Sequence, residues 1–274
     1  MSHHLLCFGK IIATEINQPN RLQLSLTFAP MKWLREIAGR IWAFWGLISF
    51  VATFLIIFIP SMLAYLMPDP MGMRYFIKLA RIWMEVWLRL VGCPIRVKGK
   101  QHFKKGEGYI ITCNHNSLMD IPLSSAFIPG ANKTIAKTSF AKIPLFGWYY
   151  SKGSVLVDRN NELSRRRSFD EMKKVLSLGM HMCIYPEGTR NRTREPLKKF
   201  YDGAFKLSVD TGHAVIPTVI LNTKKAVPLH KTFFFLPRRL EIHFLPPINP
   251  AGLTVTELKE QTFAAMWNYF NEHN

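Results

Sequence analysis

The chain has 274 residues, 48% of them apolar, enough for one large domain with a sizeable core. Lys and Arg total 36 against 18 Asp and Glu, and the resulting net charge of +18 points to an anionic partner such as nucleic acid, lipid headgroups or a phosphorylated small molecule. The four cysteines, Cys7, Cys93, Cys113 and Cys183, form no CxxC and have no histidine at zinc-finger spacing, so they read as small core residues in a reduced compartment rather than metal ligands.

Residues 1–30 are polar and aperiodic, which reads as a disordered stretch or an over-extended start. Met31 opens "MKWLREIAGRIWAFW", a more natural beginning. Residues 41–68, "IWAFWGLISFVATFLIIFIPSMLAYLMP", contain no Asp, Glu, Lys, Arg or His. A bilayer-spanning helix needs roughly 20 apolar residues, so the run is long enough. Lys32, Arg35 and Arg40 precede it, and Arg74, Lys78 and Arg81 follow. With both flanks basic, the positive-inside rule gives no direction for a single crossing. A hairpin bent at Pro60 and Pro68 is the alternative, with both flanks and the following domain on the cytoplasmic face. In residues 73–92, "MRYFIKLARIWMEVWLRLVG", charges at steps of three and four share one helical face. A mainly basic stripe beside tryptophans suits a helix on an anionic lipid surface, or an ordinary amphipathic helix packed on a domain. Residues 31–92 thus read as a membrane-associated helical segment.

Residues 93–274 read as an α/β domain. The runs "PIRVKG", "GYIITCN", "KTIAK", "GSVLVDR", "MHMCIYP", "AVIPTVILN" and "RRLEIHFLPPI" read as strands. Helical patterns lie between most of them, and "TVTELKEQTFAAMWNYFNEH" ends the chain as a helix. Such alternation predicts a mostly parallel mixed sheet flanked by helices, with its site in the loops beyond the strands' carboxyl ends.

Three of those loops carry chemistry. In "CNHNSLMDIP", residues 113–122, His115 directly follows a strand and Asp120 lies five residues on. Ser117 and Asp120 also fit a capping box, which would give the aspartate a purely structural position in the helix's first turn. The same geometry lets Asp120 fix the imidazole's tautomer and leave the other nitrogen to take a proton. Asn114 would hold the turn, and backbone N–H groups of residues 114–117 would face an oxyanion. In "YPEGTRNR", residues 185–192, Gly188 permits close backbone approach, Thr189 offers a hydroxyl, and Arg190 presents a fork suited to phosphate. In "GSVLVDRNN", residues 153–161, a strand delivers Arg159.

The stretch "NHNSLMD" resembles the NHx4D motif of the glycerolipid acyltransferase family, and "GSVLVDR", "YPEGTR" and "AVIPTVI" resemble its second, third and fourth blocks in the same order. Within that family the pattern is most similar to the 1-acylglycerol-3-phosphate acyltransferases. The resemblance covers roughly residues 70–250. It implies acyl transfer from a thioester, acyl-CoA or acyl-carrier protein, to the sn-2 hydroxyl of 1-acylglycerol 3-phosphate, giving phosphatidic acid without metal or further cofactor. His115 would be the base and Asp120 its orienting partner. Arg159, Glu187, Gly188, Thr189 and Arg190 would bind the acceptor phosphate, with Lys137 beside them, and Pro217 would shape the strand behind the site. Asn191 and Arg192 depart slightly from the family pattern. The same motifs would serve another acceptor, such as a lyso-ornithine lipid or another lysophospholipid. A nucleic-acid partner is disfavoured, because the basic residues are dispersed and no nucleic-acid module is present.

Overall fold

The computed structural model describes the backbone of residues 21–273 and side chains from Lys32 onward. The reading of residues 1–30 therefore lies mostly outside the described residues. The chain separates into two units, residues up to Ala38 and residues from Gly39 onward. The described part of the first is the start of helix α1, Arg21–Met62.

Helix α1 continues past Pro60, which lies in its last turn, to Met62, and a 3-10 turn follows over Leu63–Leu66. Met67 then becomes extended, as expected for a residue ahead of a proline, here Pro68. The bend therefore falls at 67–70, not at Pro60, and helix α2, Met71–Leu90, follows it. The faces of α2 divide as the charge spacing predicts. Met73, Phe76, Ile77, Ala80, Trp83, Met84, Trp87 and Leu88 are buried, while Arg74 and Lys78 are exposed. The tryptophans thus pack inward instead of facing outward. Trp83 Nε1 donates to Thr53 Oγ1 at 2.9 Å, and Trp87 Nε1 to the Gly46 carbonyl at 3.1 Å, both on α1. Arg81 caps the next helix by donating to the Ala126 and Ile128 carbonyls at 2.9 and 3.0 Å.

From Ile95 the chain forms the expected α/β domain. Its elements are β1 (Ile95–Lys98), β2 (Ile110–Cys113), α3 (Asp120–Phe127), β3 (Asn132–Lys137), α4 (Phe146–Lys152), β4 (Ser154–Val157), α5 (Glu162–Ser177), β5 (His181–Ile184), α6 (Gly203–Thr211), β6 (Val215–Leu221), α7 (Thr223–Ala226), β7 (Leu240–Phe244) and α8 (Val255–His273). The sheet has the order β1-β7-β6-β2-β5-β3-β4, and every pairing is parallel except β6 with β7. Strands β2, β5 and β6 are buried along their whole length, which is why they read as unbroken apolar runs. Pro217 sits inside β6, and its carbonyl accepts from Leu245, just past the end of β7.

This order puts the carboxyl ends of β2, β5, β3 and β4 side by side. The loops bearing His115, Glu187–Arg190, Lys137 and Arg159 therefore leave from one edge of the sheet.

Candidate active site

After Cys113 the chain leaves β2 in an irregular turn. Asn114 extends the strand's pairing with its side chain: Nδ2 donates to the Ile220 carbonyl at 2.9 Å, and Oδ1 accepts from Ile220 N–H at 2.7 Å. The root of the turn is thereby fixed to β6. His115 Nδ1 then lies 3.0 Å from Asp120 Oδ2. That same oxygen accepts from the amides of Asn116 and Ser117, each at 2.6 Å. Only half of the capping box forms. The aspartate reaches the Ser117 amide, but α3 begins at Asp120 itself, and Ser117 Oγ accepts from Met119 at 3.3 Å. Asp120 thus closes the turn and holds the ring together. With the carboxylate accepting from Nδ1–H, Nε2 keeps its lone pair. The imidazole stays 14% exposed while its partner is fully buried, so the ring is fixed from behind and open in front.

Residues the sequence did not single out support the pair. The Tyr185 ring lies 4.5 Å from that of His115, and its hydroxyl is bonded to Ser124 Oγ at 2.8 Å. Tyr185 immediately precedes the glutamate block, and only its position at a strand end marked it. Asn191 N–H donates to the His115 carbonyl at 2.6 Å.

The glutamate block divides in its roles. Glu187 is buried and turns inward, its carboxylate accepting from His115 N–H at 2.9 Å and Lys198 N–H at 3.1 Å. Burial pushes its carboxyl up from the usual 4.5 to about 7, against the pull of those two amides, and the charge of Asp120 adds to the rise. Gly188 has φ +71°, and a Cβ there would meet the Tyr201 ring at 2.9 Å. Its carbonyl accepts from Arg159, which reaches it from the end of β4. Thr189 is exposed and receives Lys198 Nζ at 2.7 Å. The Arg190 guanidinium makes no hydrogen bond or ion pair among the described residues, and it lines the cavity described next. Lys137 is exposed at the end of β3, beside Tyr150. The structure thus joins His115, Asp120 and Glu187 directly, and Arg159 to the glycine of the block. The amides of His115, Asn116 and Ser117 are all engaged with carboxylates, so they are not free to face an oxyanion as the sequence suggested.

Beside this turn is an apolar cavity of about 590 Å³. Phe50 of α1, Trp83 and Trp87 of α2, Pro122 of α3, Phe146 of α4 and Phe235 form part of its wall. Leu118 and Met119, within the turn joining His115 to Asp120, also line it. Its size suits a small-molecule site, and its walls suit a hydrocarbon.

The mostly parallel sheet thus carries a histidine–carboxylate pair at the carboxyl ends of its central strands, with an apolar cavity beside it that Arg190 also lines. The Acyltransferase family model matches residues 94–221. The chain is 30% identical over 188 residues to the 1-acyl-sn-glycerol-3-phosphate acyltransferase of Saccharomyces cerevisiae, covering 66% of this chain and 60% of that one. It is 33% identical over 145 residues to the enzyme of the same name from Cocos nucifera, covering 52% and 46%. The chain thus spans about half to three fifths of the length of these relatives. The crystal structure of the 1-acyl-sn-glycerophosphate (LPA) acyltransferase from Thermotoga maritima has the same fold, with a TM-score of 0.71, 24% identity, and coverage of 87% of this chain and 96% of that one.

Proposed function

We propose that the protein transfers a fatty acyl group from a thioester, acyl-CoA or acyl-carrier protein, to the sn-2 hydroxyl of 1-acylglycerol 3-phosphate, yielding phosphatidic acid. One observation carries this reading: the His115–Asp120 pair sits in a turn that also lines an apolar cavity, with the unpaired Arg190 on the same wall. A base, a hydrocarbon site and an anion anchor together match the three parts of a lysophosphatidate. The names of the similar proteins from yeast and coconut support the choice of acceptor.

In this mechanism His115 Nε2 takes the hydroxyl proton as the oxygen attacks the thioester carbonyl. Asp120 stabilises the imidazolium that forms. The tetrahedral intermediate collapses with cleavage of the C–S bond, and His115 returns the proton to the leaving thiolate. Arg190 binds the acceptor phosphate, and Arg159, Thr189 and Lys137 supply the surrounding polar rim. Glu187 acts from behind, by holding the His115 backbone; a carboxylate facing two amides is not aimed at a phosphate.

The same reading takes α1 as membrane-associated. Residues 32–66 are apolar enough to cross a bilayer, yet only 22% of the most apolar window is buried. A core helix of a soluble protein would be mostly covered. From Gly46 to Pro60, however, this helix is hydrogen-bonded along α2, by Trp87, Trp83 and Tyr75. One face of α1 thus packs on its own domain, and we take its exposed apolar face as the membrane-associated one, with the α/β domain on the cytoplasmic side.

The test is an acceptor panel assayed in detergent with acyl-CoA. Lysophosphatidate should be acylated, and unphosphorylated monoacylglycerol should react far more slowly. Equal rates would remove the phosphate from the reading and favour another lysolipid acceptor. His115→Ala should lower turnover by about 10²–10⁴-fold with acceptor binding little changed. Arg190→Ala should chiefly raise the KM for lysophosphatidate, and unchanged KM with lost turnover would reassign it.

A further inference from the structure

We propose that residues 138–148, the connection from β3 together with the first residues of α4, form a second membrane-inserting element beside α1. The inference rests on the reading of α1 as membrane-associated and extends it to a part of the α/β domain. Within this short stretch Phe140, Ile143, Leu145 and Trp148 are all exposed, at 42%, 44%, 41% and 63%. Scattered apolar residues on a surface are ordinary, whereas four within nine positions on one protrusion form a patch that calls for a partner.

The protrusion is rigidly built. Phe146 N–H donates to the Pro144 carbonyl at 2.6 Å, closing a γ-turn about Leu145, which holds φ +59°. A leucine rarely adopts that conformation, and here it leaves the side chain outward. Gly147 approaches the Ala141 carbonyl so closely that a Cβ would lie 2.1 Å from its oxygen. The loop is therefore folded tightly on itself, and its apolar tip does not collapse inward.

The occupant follows from what the patch adjoins. Trp148 stacks on Phe58 of α1, with ring centroids 6.3 Å apart, and its carbonyl accepts from the Tyr65 hydroxyl at 2.7 Å. Ile56, Ile59 and Leu66, in the same region of the chain as these contacts, are 76%, 74% and 82% exposed. The patch thus adjoins the end of α1 and the turn that follows it through Trp148. Lys137 and Lys142 are exposed within the segment and just before it, as flanking cations are in elements that rest among anionic headgroups. Phe140, Phe146, Tyr149 and Tyr150 also line the apolar cavity, so the element that enters the lipid forms part of the cavity wall. A lysolipid would then pass from the leaflet to the cavity without exposing its chain to water.

The experiment places an environment-sensitive fluorophore on Ile143→Cys, with Ile56→Cys on α1 and Lys104→Cys on a distant loop as references, in the full-length Cys7→Ser chain. The other three native thiols are buried and would not label. On vesicles of phosphatidylcholine with phosphatidylglycerol, the labels at 143 and 56 should shift to the blue and be quenched by spin-labelled acyl chains, while the label at 104 stays aqueous. Quenching at 56 with an aqueous label at 143 would overturn the inference and leave the patch to a protein partner. Aqueous labels at both positions would overturn the reading of α1, and this inference with it. Ile143→Glu should slow acylation of a vesicle-embedded acceptor about tenfold, the loss expected when one isoleucine's insertion is replaced by a charge, and leave a short-chain soluble acceptor unaffected. Equal slowing of both acceptors would mean local misfolding, not lost insertion, and would count against the proposal.

Discussion

Glu187 is a second carboxylate behind His115, and it meets the backbone instead of the ring. It ties the backbone of the turn proposed as catalytic to the loop ending at Lys198, so its loss should be felt in turnover more than in acceptor affinity. Its stability contribution has a definite sign. The folded value of about 7 lies above the unfolded 4.5, so the neutral form is favoured on folding. That contribution is complete below about 4.5 and is lost as pH rises through about 7, amounting to roughly 3 kcal/mol at about 1.4 kcal/mol per pH unit. Glutamine does not titrate. The stability of the wild type relative to Glu187→Gln should therefore fall as pH rises from 5 to 7.5, as read from denaturation midpoints in detergent. A constant difference over that range would mean that Glu187 does not titrate there. In the sequence, His115 and Asp120 were legible because their spacing after a strand admits few geometries. The inward turn of Glu187 was not, since a glutamate beside a threonine and an arginine looks like part of one polar rim. Only burial separates it from them.

Among elements, the alternation of strands and helices was legible because each apolar run is short and bounded by turn residues. The antiparallel direction of β7 was not, because nothing local in Leu240–Phe244 distinguishes it from a parallel strand; the direction is set by the long return from β6. Of the two prolines at which the sequence allowed a bend, Pro68 lies in the observed one, while Pro60 sits within the last turn of α1, which continues to Met62. What holds α1 to the domain is aromatic. Phe54 is 6% exposed and contacts the rings of Phe58, Trp83, Phe146 and Tyr149 at 5.5–5.8 Å. Truncating a buried phenylalanine costs about 3–5 kcal/mol, since lost transfer energy and a residual cavity add. Phe54→Ala should lower the thermal midpoint in detergent and make α1 accessible to protease before the α/β domain unfolds. A cooperative loss of both at one temperature would show that α1 is not held as a separable layer.

At the scale of the molecule, the proposed membrane association would draw on two forces that differ in their dependence on salt. The charge of +18 acts at a distance, and its reach shrinks from about 10 Å at 0.1 M salt to about 3 Å at 1 M. The exposed apolar side chains of α1, among them Ile48, Leu55, Ile56 and Ile59, act only on contact, and each contributes up to about 1.5–3 kcal/mol when removed from water. Several such residues outweigh the screened attraction of dispersed surface charges, so charge governs approach and apolar burial governs retention. Binding to vesicles containing anionic lipid, followed by stopped-flow fluorescence, should therefore slow markedly between 0.1 and 1 M salt. Protein already bound should remain through a 1 M wash. Release by that wash would make the attachment mainly electrostatic and remove α1 from the bilayer interface. A rate of binding unchanged by salt would mean that the charge serves another anion, such as the thioester donor, and not the lipid surface.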